Sequence, residues 1–325
     1  LGGKPEVCPD ASRYFLIYGC AIPAMQLRRM AGNVLQCSGD MRTPSALNIV
    51  MCLLDVVFNS LFIFPTRQIH LFGLDFSMVG AGMGVSGAAL GTALSEVVVA
   101  GLMLYALCVR SPIMHLKGSG QWRFDKSCQK TAIRLSLPMA LERLILSGAQ
   151  IMSTRIIAPL GTVSVAAHSL AVTAESLCYM PGYGIASAST TLVGQSIGAA
   201  RKDLARRFAC LSVILGVIMM ACTGALMYLF APAMFSMLTP DPAIRELGAQ
   251  VLRIEAFAEP LFGASIVVAG ALRGAGDTLV PSILNLVSMW GVRISTAALL
   301  APRLGLVGVW LAMSGELCVR GILFL

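Results

Sequence analysis

The sequence predicts an all-α, polytopic membrane protein. Three observations carry that reading: a composition too apolar for water, charge-free windows long enough to cross a bilayer, and a duplicated helix–turn–helix. Of 325 residues, 57% are hydrophobic and 12% charged, with a mean hydropathy of +0.79; a soluble domain carries about 25% charged residues. Phe208 to Thr239, Ser176 to Ala200 and Phe76 to Ser95 contain no Asp, Glu, Lys or Arg. Each window exceeds the ~18 residues that mark a crossing of a hydrocarbon core about 30 Å thick, and a lone signal sequence does not account for several of them. With 7% aromatic residues and no strict alternation, the chain does not read as a transmembrane β-barrel. Lipid offers backbone groups no partner, so every span is expected to be helical.

Hydropathy punctuated by Pro and Gly gives nine spans: 13–37, 44–65, 79–109, 131–157, 162–193, 204–231, 246–272, 281–301 and 304–325. Alternate loops collect twelve basic residues on one side: Arg42, Arg110, Lys117, Arg123, Lys126, Lys130, Arg134, Arg201, Lys202, Arg206, Arg207 and Arg273. The other side has five, Lys4, Arg13, Arg67, Arg245 and Arg303. The positive-inside bias makes the first side cytoplasmic. The formal charge of +8 therefore labels topology, and no nucleic-acid partner is expected. The longest polar segment divides the chain into 1–110, with three spans, a cytoplasmic linker at 111–130, and 131–325, with six spans. Ten cysteines show no C-x-x-C spacing, and those in apolar windows (Cys20, Cys52, Cys178, Cys210, Cys222, Cys318) read as small buried hydrophobes, not as a disulfide frame or zinc site. The opening LGGKPEVCPD reads as a loop partway through a longer protein.

The repeat is the most informative feature. VLQCSGDMRTPSALNIV at 34–50 aligns without a gap to ALRGAGDTLVPSILNLV at 271–287, with eight of seventeen positions identical. The offset, set by Asp40 and Asp277, is 237 residues, and it pairs Pro23 with Pro260 in the preceding span. GVSGAALGTA at 84–93 resembles GLVGVWLAMS at 305–314 at the shorter offset of 221, so the first copy carries a loop 16 residues longer. Six spans separate each element from its counterpart, which gives both copies the same orientation. Parallel repeats of this kind in transporters place the binding region between two halves near mid-bilayer. The first half lacks partners for 131–157, 162–193 and 204–231, so about nine of twelve expected helices are present.

In each copy, Gly39-Asp40 to Pro44 and Gly276-Asp277 to Pro281 read as a structural turn: Gly for the tight C-terminus, Asp to cap the next helix, Pro for its first turn. Acids within spans are different, because each costs ~2.5–3.5 kcal/mol at a helix centre and marks an ion or substrate path unless paired. Glu316 and Arg320, at i and i+4, are expected to neutralise each other. Glu96 sits where snorkelling or a neighbouring polar group could satisfy it. Glu255 and Glu259 share one face immediately before Pro260, whose missing donor frees a carbonyl one turn earlier; carboxylates beside such a distortion form an oxygen-rich cation site. Asp55 and Asn59, at i and i+4, suit Na⁺, a proton relay or a buried hydrogen-bonded pair. Glu142 follows Pro138, and Gln150 and Ser153 extend its helix's polar side. Glu175 has Tyr179 and Tyr183 at i+4 and i+8, aromatic faces for an organic cation. His168 reads as structural. No nucleophile elbow, phosphate loop, HExxH or redox motif is present, so no enzyme is expected.

ALRGAGDTLVP at 271–281, SLPMALERL at 136–144 and AAHSLAVTAESLCYMPGYGIASASTTLVGQSIGAAR at 166–201 together resemble the multidrug and toxic compound extrusion (MATE) family, in its NorM-like bacterial branch, and the likeness runs through essentially the whole chain. The resemblance implies a MATE-like two-lobe helical bundle in the bacterial inner membrane, acting as a monomer without a cofactor. It implies antiport of cationic or amphipathic organic compounds outward against Na⁺ or H⁺. The family's seventh-helix Glu stands eight residues after the Pro, where this chain has Leu146, with Glu142 one turn earlier. Its tenth-helix acid stands at Phe262, with Glu259 just before it, and the fifth-helix order of Asn then Asp is reversed in Asp55 and Asn59. A lipid-linked oligosaccharide flippase of the same superfamily would line its cavity with Arg28, Arg29, Arg143 and Arg155. A non-transporting scaffold would bury every acid in an Arg pair.

Overall fold

A computed structural model describes residues 8–71, 74–110 and 125–325, with side chains described outside 67–79 and 110. Lys4, Lys117 and Arg123, and most of the expected linker, lie outside the described residues. The chain divides into two compact units, Leu1–Trp122 and Arg123–Leu325.

The first unit contains α1 (Cys8–Cys37), α2 (Arg42–Ile63) and α3 (Gly84–Tyr105), which runs on into a π turn at Ala106–Arg110. Pro23 sits within α1. α3 packs on both α1 and α2, with Leu35, Met103 and Ala106 at the core between them. Between α2 and α3 the chain forms a hairpin, β1 (Pro65–Leu71) and β2 (Leu74–Ala81), paired antiparallel from Pro65↔Ala81 to Leu71↔Leu74. This corrects the expected helical span at 79–109, whose first residues belong to β2. Two strands satisfy each other's backbone groups just as a helix does internally, so hydropathy alone did not separate them. Gly80 permits the crossing, since a Cβ there would stand 2.0 Å from the Phe64 carbonyl oxygen.

The second unit contains α4 (Lys126–Ile157), α5 (Thr162–Gly198), α6 (Lys202–Leu238), α7 (Pro242–Ala256), α8 (Glu259–Gly274), α9 (Leu279–Val287) and α10 (Ser295–Phe324), with a π turn at Ser288–Ile294. Lys126 to Lys130, expected in the linker, form the first turns of α4, whose start Asp125 caps by accepting from the Ser127 amide at 2.8 Å. The expected span 246–272 is two helices, broken at Phe257–Ala258. α10 crosses the expected boundary between the last two spans through one non-helical residue, Gly305 (φ 60°, ψ −140°).

α5, α6 and α8 pack as a trio through small residues that bring backbones together, as membrane helices do. A Cβ at Gly274 would lie 2.4 Å from the Thr190 carbonyl oxygen, and Thr190 Oγ1 donates to the Gly270 carbonyl at 2.8 Å. The largest core gathers around the fully buried Trp310, Phe235 and Leu252. His168 meets Trp310 edge to face at 5.7 Å, the structural role expected of it.

The duplicated turn recurs in atomic detail. Ser38, Gly39 and Asp40 donate to Val34, Gln36 and Leu35; at the 237-residue offset, Ala275, Gly276 and Asp277 donate to Ala271, Arg273 and Leu272. Gly39 and Gly276 hold φ of 96° and 88°. Asp40 accepts from the Thr43 amide, and Asp277 from the matching Val280 amide, both at 3.1 Å. At the 221-residue offset, Gly84 and Gly305 share positive φ, 55° and 60°.

The cysteines depart from expectation. Of the ten, only Cys178 is buried; Cys20, Cys52, Cys210 and Cys222 are exposed and Cys318 half-buried. A membrane protein turns apolar side chains outward as well as inward, so an apolar window does not imply protein packing for a thiol within it.

Candidate functional site

The acids of the second unit fall into two groups. Glu142, one turn after Pro138 on α4, is enclosed by donors from the α8–α9 turn. Arg273 Nη2 reaches Oε1 and Oε2, both at 3.0 Å; Ser282 Oγ donates to Oε2 at 2.7 Å and Asn285 Nδ2 to Oε1 at 2.7 Å. Arg273 was expected among the cytoplasmic loop cations; it instead lies in the last turn of α8 as the counter-ion of a buried carboxylate. Pairing and hydrogen bonding of this completeness is what lets a charge persist out of water. On the same helix Ser153 is buried, whereas Gln150 is exposed.

The second group lies where α5, α7, α8 and α10 meet. Glu255 ends α7 and Glu259 opens α8, so the two stand on either side of the helix break. Pro260 has no N–H to give the Ala256 carbonyl, four residues back. Gly224 on α6 accommodates this corner: a Cβ there would lie 3.0 Å from both the Ala256 oxygen and Glu259 Cβ. Both Glu255 and Glu259 are fully buried, and none of their four carboxylate oxygens has a hydrogen-bond partner among the described residues. Glu175, Glu259, Glu316 and Arg293 all lie within electrostatic reach of Glu255, and Arg293 and Arg320 within reach of Glu175.

Two features complete this cluster. The π turn at Ser288–Ile294 aims Ser288 Oγ at Glu316 Oε1, 2.5 Å away, and Glu316 also pairs with Arg320 Nε at 3.3 Å, the partnership expected from their spacing. Arg293, from the same turn, points its guanidinium at the thioethers of Met289 and Met313. Four carboxyl groups (Glu175, Glu255, Glu259, Glu316) thus lie near two guanidiniums (Arg293, Arg320), so at least two of the four have no guanidinium to balance a charge. Tyr179 packs edge to face on Tyr183 and Phe262, at 5.7 and 5.9 Å, and Arg320 lies over the Phe262 ring at 5.1 Å. Tyr183 is exposed and Tyr179 half-buried, an aromatic edge beside the acids.

In the first unit Glu96 and Asp55 are engaged. Glu96 accepts from Arg28 Nε and Nη2 at 2.5 and 3.1 Å, and Arg28 Nη1 donates to Asn48 Oδ1 at 2.6 Å. Ser95 Oγ donates to Asp55 Oδ1 at 3.4 Å. Asn59 Oδ1 is buried without a hydrogen-bond partner, pressed against α3 where Gly91 leaves room for it.

Sequence reasoning passed over Ser282, Asn285, Asn48 and Ser288, and counted Arg273 only as a loop cation. A signal for two of them was present in the repeat, which conserves Ser282 as Ser45 and Asn285 as Asn48. The Asn serves a buried ion pair in both copies, from opposite polarity: Asn48 accepts from the cation, and Asn285 donates to the anion.

The MatE family model matches residues 138–299, the stretch that holds Glu142, the helix break and the second copy of the repeat. The chain belongs to the MatE family. Over 322 residues this MatE chain is 29% identical to the probable multidrug resistance protein NorM of Thermotoga maritima, which covers 98% of the chain and 66% of that relative. It is 30% identical over 290 residues to the probable multidrug resistance protein NorM of Mesorhizobium japonicum, covering 85% of the chain and 60% of that protein. The chain thus spans about two thirds or less of these relatives' length. A solved MATE structure in complex with MaL6 superposes with a TM-score of 0.88 at 21% identity, over 99% of this chain and 70% of that one. At this identity the likeness shows the fold: an all-α polytopic transporter-type bundle.

Proposed function

We propose that the protein is a secondary active antiporter that exports cationic or amphipathic organic compounds in exchange for inward Na⁺ or H⁺. It works as a monomer in the bacterial inner membrane by alternating access. The observation that carries this reading is the pair Glu255 and Glu259: buried, beside a helix break, and without the hydrogen bonds that Glu142 and Glu96 enjoy. A carboxylate so placed is tolerated in low dielectric only when something neutralises it, and an exchangeable proton or Na⁺ is the species a coupled transporter supplies. Loading that charge at the α7–α8 break biases the Pro260 helix between two arrangements, and differential binding in the two is what drives a conformational equilibrium. Tyr179 and Tyr183 offer the organic cation its aromatic contact. Glu175 shares the charge of the cluster, and Glu142 holds α4 in register.

A flippase reading would need Arg28 free for a pyrophosphate, but its guanidinium is taken by Glu96 and Asn48. The test is uptake of a fluorescent organic cation into everted membrane vesicles, driven separately by a proton gradient and by a Na⁺ gradient. Loss of antiport in Glu255→Gln/Glu259→Gln supports the proposal. Undiminished transport by the quadruple Gln variant at 142, 175, 255 and 259 sinks it.

A further inference from the structure

Arg293 is a cation held by sulfur beside a carboxyl group held by nothing. It is half-buried on the π turn at Ser288–Ile294, where Nη1 donates to Met289 Sδ at 3.7 Å and Nη2 to Met313 Sδ. A thioether is a weak acceptor, and among the described residues no carboxylate pairs with Arg293. Glu255, within its electrostatic reach, is fully buried, and neither of its oxygens has a hydrogen-bond partner. The two belong to one interhelical contact. Ser314, next to Met313 on α10, donates to the carbonyl of Ile254, next to Glu255 on α7, at 3.3 Å. Met313 also stands three residues before Glu316, on the same side of α10. Were both groups charged, a low-dielectric interior would favour their pairing; their separation fits a carboxyl group that carries a proton.

The other charged groups around the turn are engaged or more distant from this pair. On α5 stand Glu175 and His168, on α7 Glu255, and on α10 Glu316 and Arg320; Glu259 on α8 lies within reach of Glu175 and Glu255. Arg320 is taken up by Glu316 and the Phe262 ring. α9 has no charged residue. On α4, Glu142 is committed to Arg273, Ser282 and Asn285, and Arg143 and Arg155 are exposed. The π turn itself is tied to two helices besides its own contacts: Ser288 donates to Glu316 on α10, and Trp290 Nε1 to the Ile145 carbonyl on α4 at 3.4 Å.

We propose that Arg293 is a tethered counter-ion for the coupling proton, a positioning residue that exchanges between two sets of acceptors. With a proton on Glu255, the guanidinium rests on Met289 and Met313. When that proton leaves for water, the guanidinium donates to the freed carboxylate oxygens and draws the π turn with it, so that loading at α7 is felt at α4 and α10 together. π turns recur at functional sites because they are a local departure from helical hydrogen bonding. The inference rests on the antiport reading and deepens it by naming the proton as occupant. A proton needs a single oxygen, whereas among the described residues no three acidic, His or Cys side chains gather as they would around a metal ion.

The full chain, purified in mild detergent without substrate, would be titrated with acid and base while its tryptophan fluorescence is recorded, with Trp290→Phe identifying the share that belongs to the turn. The wild type is expected to show a pH transition in that share, and Glu255→Gln to abolish it. Arg293→Gln leaves the ionised carboxylate without its counter-ion, so the midpoint moves to higher pH by about one unit or more; Arg293→Lys keeps the charge and stays near the wild type. Met313→Leu takes away a resting place of the guanidinium in the protonated state and moves the midpoint the other way, to lower pH. The pH profile of gradient-driven uptake should shift in the same order. A wild type with no transition, a transition that survives Glu255→Gln, or midpoints unmoved by the Arg293 and Met313 variants overturns the inference. Should Arg293→Gln fail to fold, Met313→Leu, which nearly conserves volume, decides alone. Uptake intact with unmoved midpoints sinks this inference and spares the antiport reading; midpoints shifted as expected without any gradient-driven uptake do the reverse.

Discussion

The two copies of the duplicated turn share a backbone down to individual hydrogen bonds and differ in what their side chains serve. In the first unit, Asn48 joins Arg28 and Glu96 in a closed ion pair, and Asp55 accepts from Ser95. In the second unit, the matching Asn285 helps close the cage around Glu142, while a few turns away Glu255 and Glu259 are left with no hydrogen-bond partner. Gly, Asp and Pro at fixed spacing preserve the frame, and the polar content is free to diverge around it. A closed pair adds rigidity; an open carboxylate in low dielectric costs stability and is kept for what it exchanges.

The sharpest way to break this contrast is to neutralise the open acids. Glu255→Gln/Glu259→Gln is expected to lower coupled transport by at least about tenfold while the purified protein's Tm holds or rises; a fall in Tm would mean that these acids are structural after all. The closed pairs should behave oppositely. Glu142→Ala strands Arg273, Ser282 and Asn285, and Glu96→Ala strands Arg28, each costing about 3–5 kcal/mol, read as a Tm loss in detergent; a neutral result at either site dissolves the distinction. Glycine substitution tests whether the frame is shared: Gly39→Ala and Gly276→Ala both force a side chain to positive φ and should each cost about 1–2 kcal/mol. Smaller again, Asp40→Ala and Asp277→Ala remove equivalent caps at about 1 kcal/mol each, and markedly unequal losses would show that the two turns are not equivalent.

The smallest effect is outside the membrane. Asp125 is held below its ordinary value of 3.8 by hydrogen bonds from the Ser127 backbone and side chain. A carboxylate lowered in this way contributes above that ordinary value, and its contribution is lost as pH falls through the lowered one. Amide exchange at Ser127 should therefore quicken only in that acid range, and Asp125→Asn should flatten the dependence.

What the sequence revealed and what it hid follow one physical line. Gly39, Asp40, Gly276 and Asp277 were legible because tight turns impose local requirements on residue type and spacing, and so was the Pro260 break, which removes a donor at a known position. Glu316 with Arg320 was legible because its partner is four residues away. Glu142 was found, but its cage was not, because Arg273, Ser282 and Asn285 stand 131 to 143 residues distant and no local pattern encodes such a meeting. The hairpin was hidden for a different reason: most of it falls in the loop between the spans expected at 44–65 and 79–109, and the few apolar residues at the end of β2 look like a helix start to a hydropathy window. The exposed cysteines show the same limit, since apolarity does not distinguish contact with protein from contact with lipid.

The joint marked by Gly84 and Gly305 has a practical corollary. One copy reaches it through a helix that merely swivels at a single glycine, and the other places a whole hairpin, 16 residues more, in the same interval. A junction that has absorbed such an insertion in one copy is a natural grafting point in the other. A short epitope or fluorophore-binding peptide inserted between Arg303 and Gly305 is the first place to install a reporter without disturbing the helices on either side.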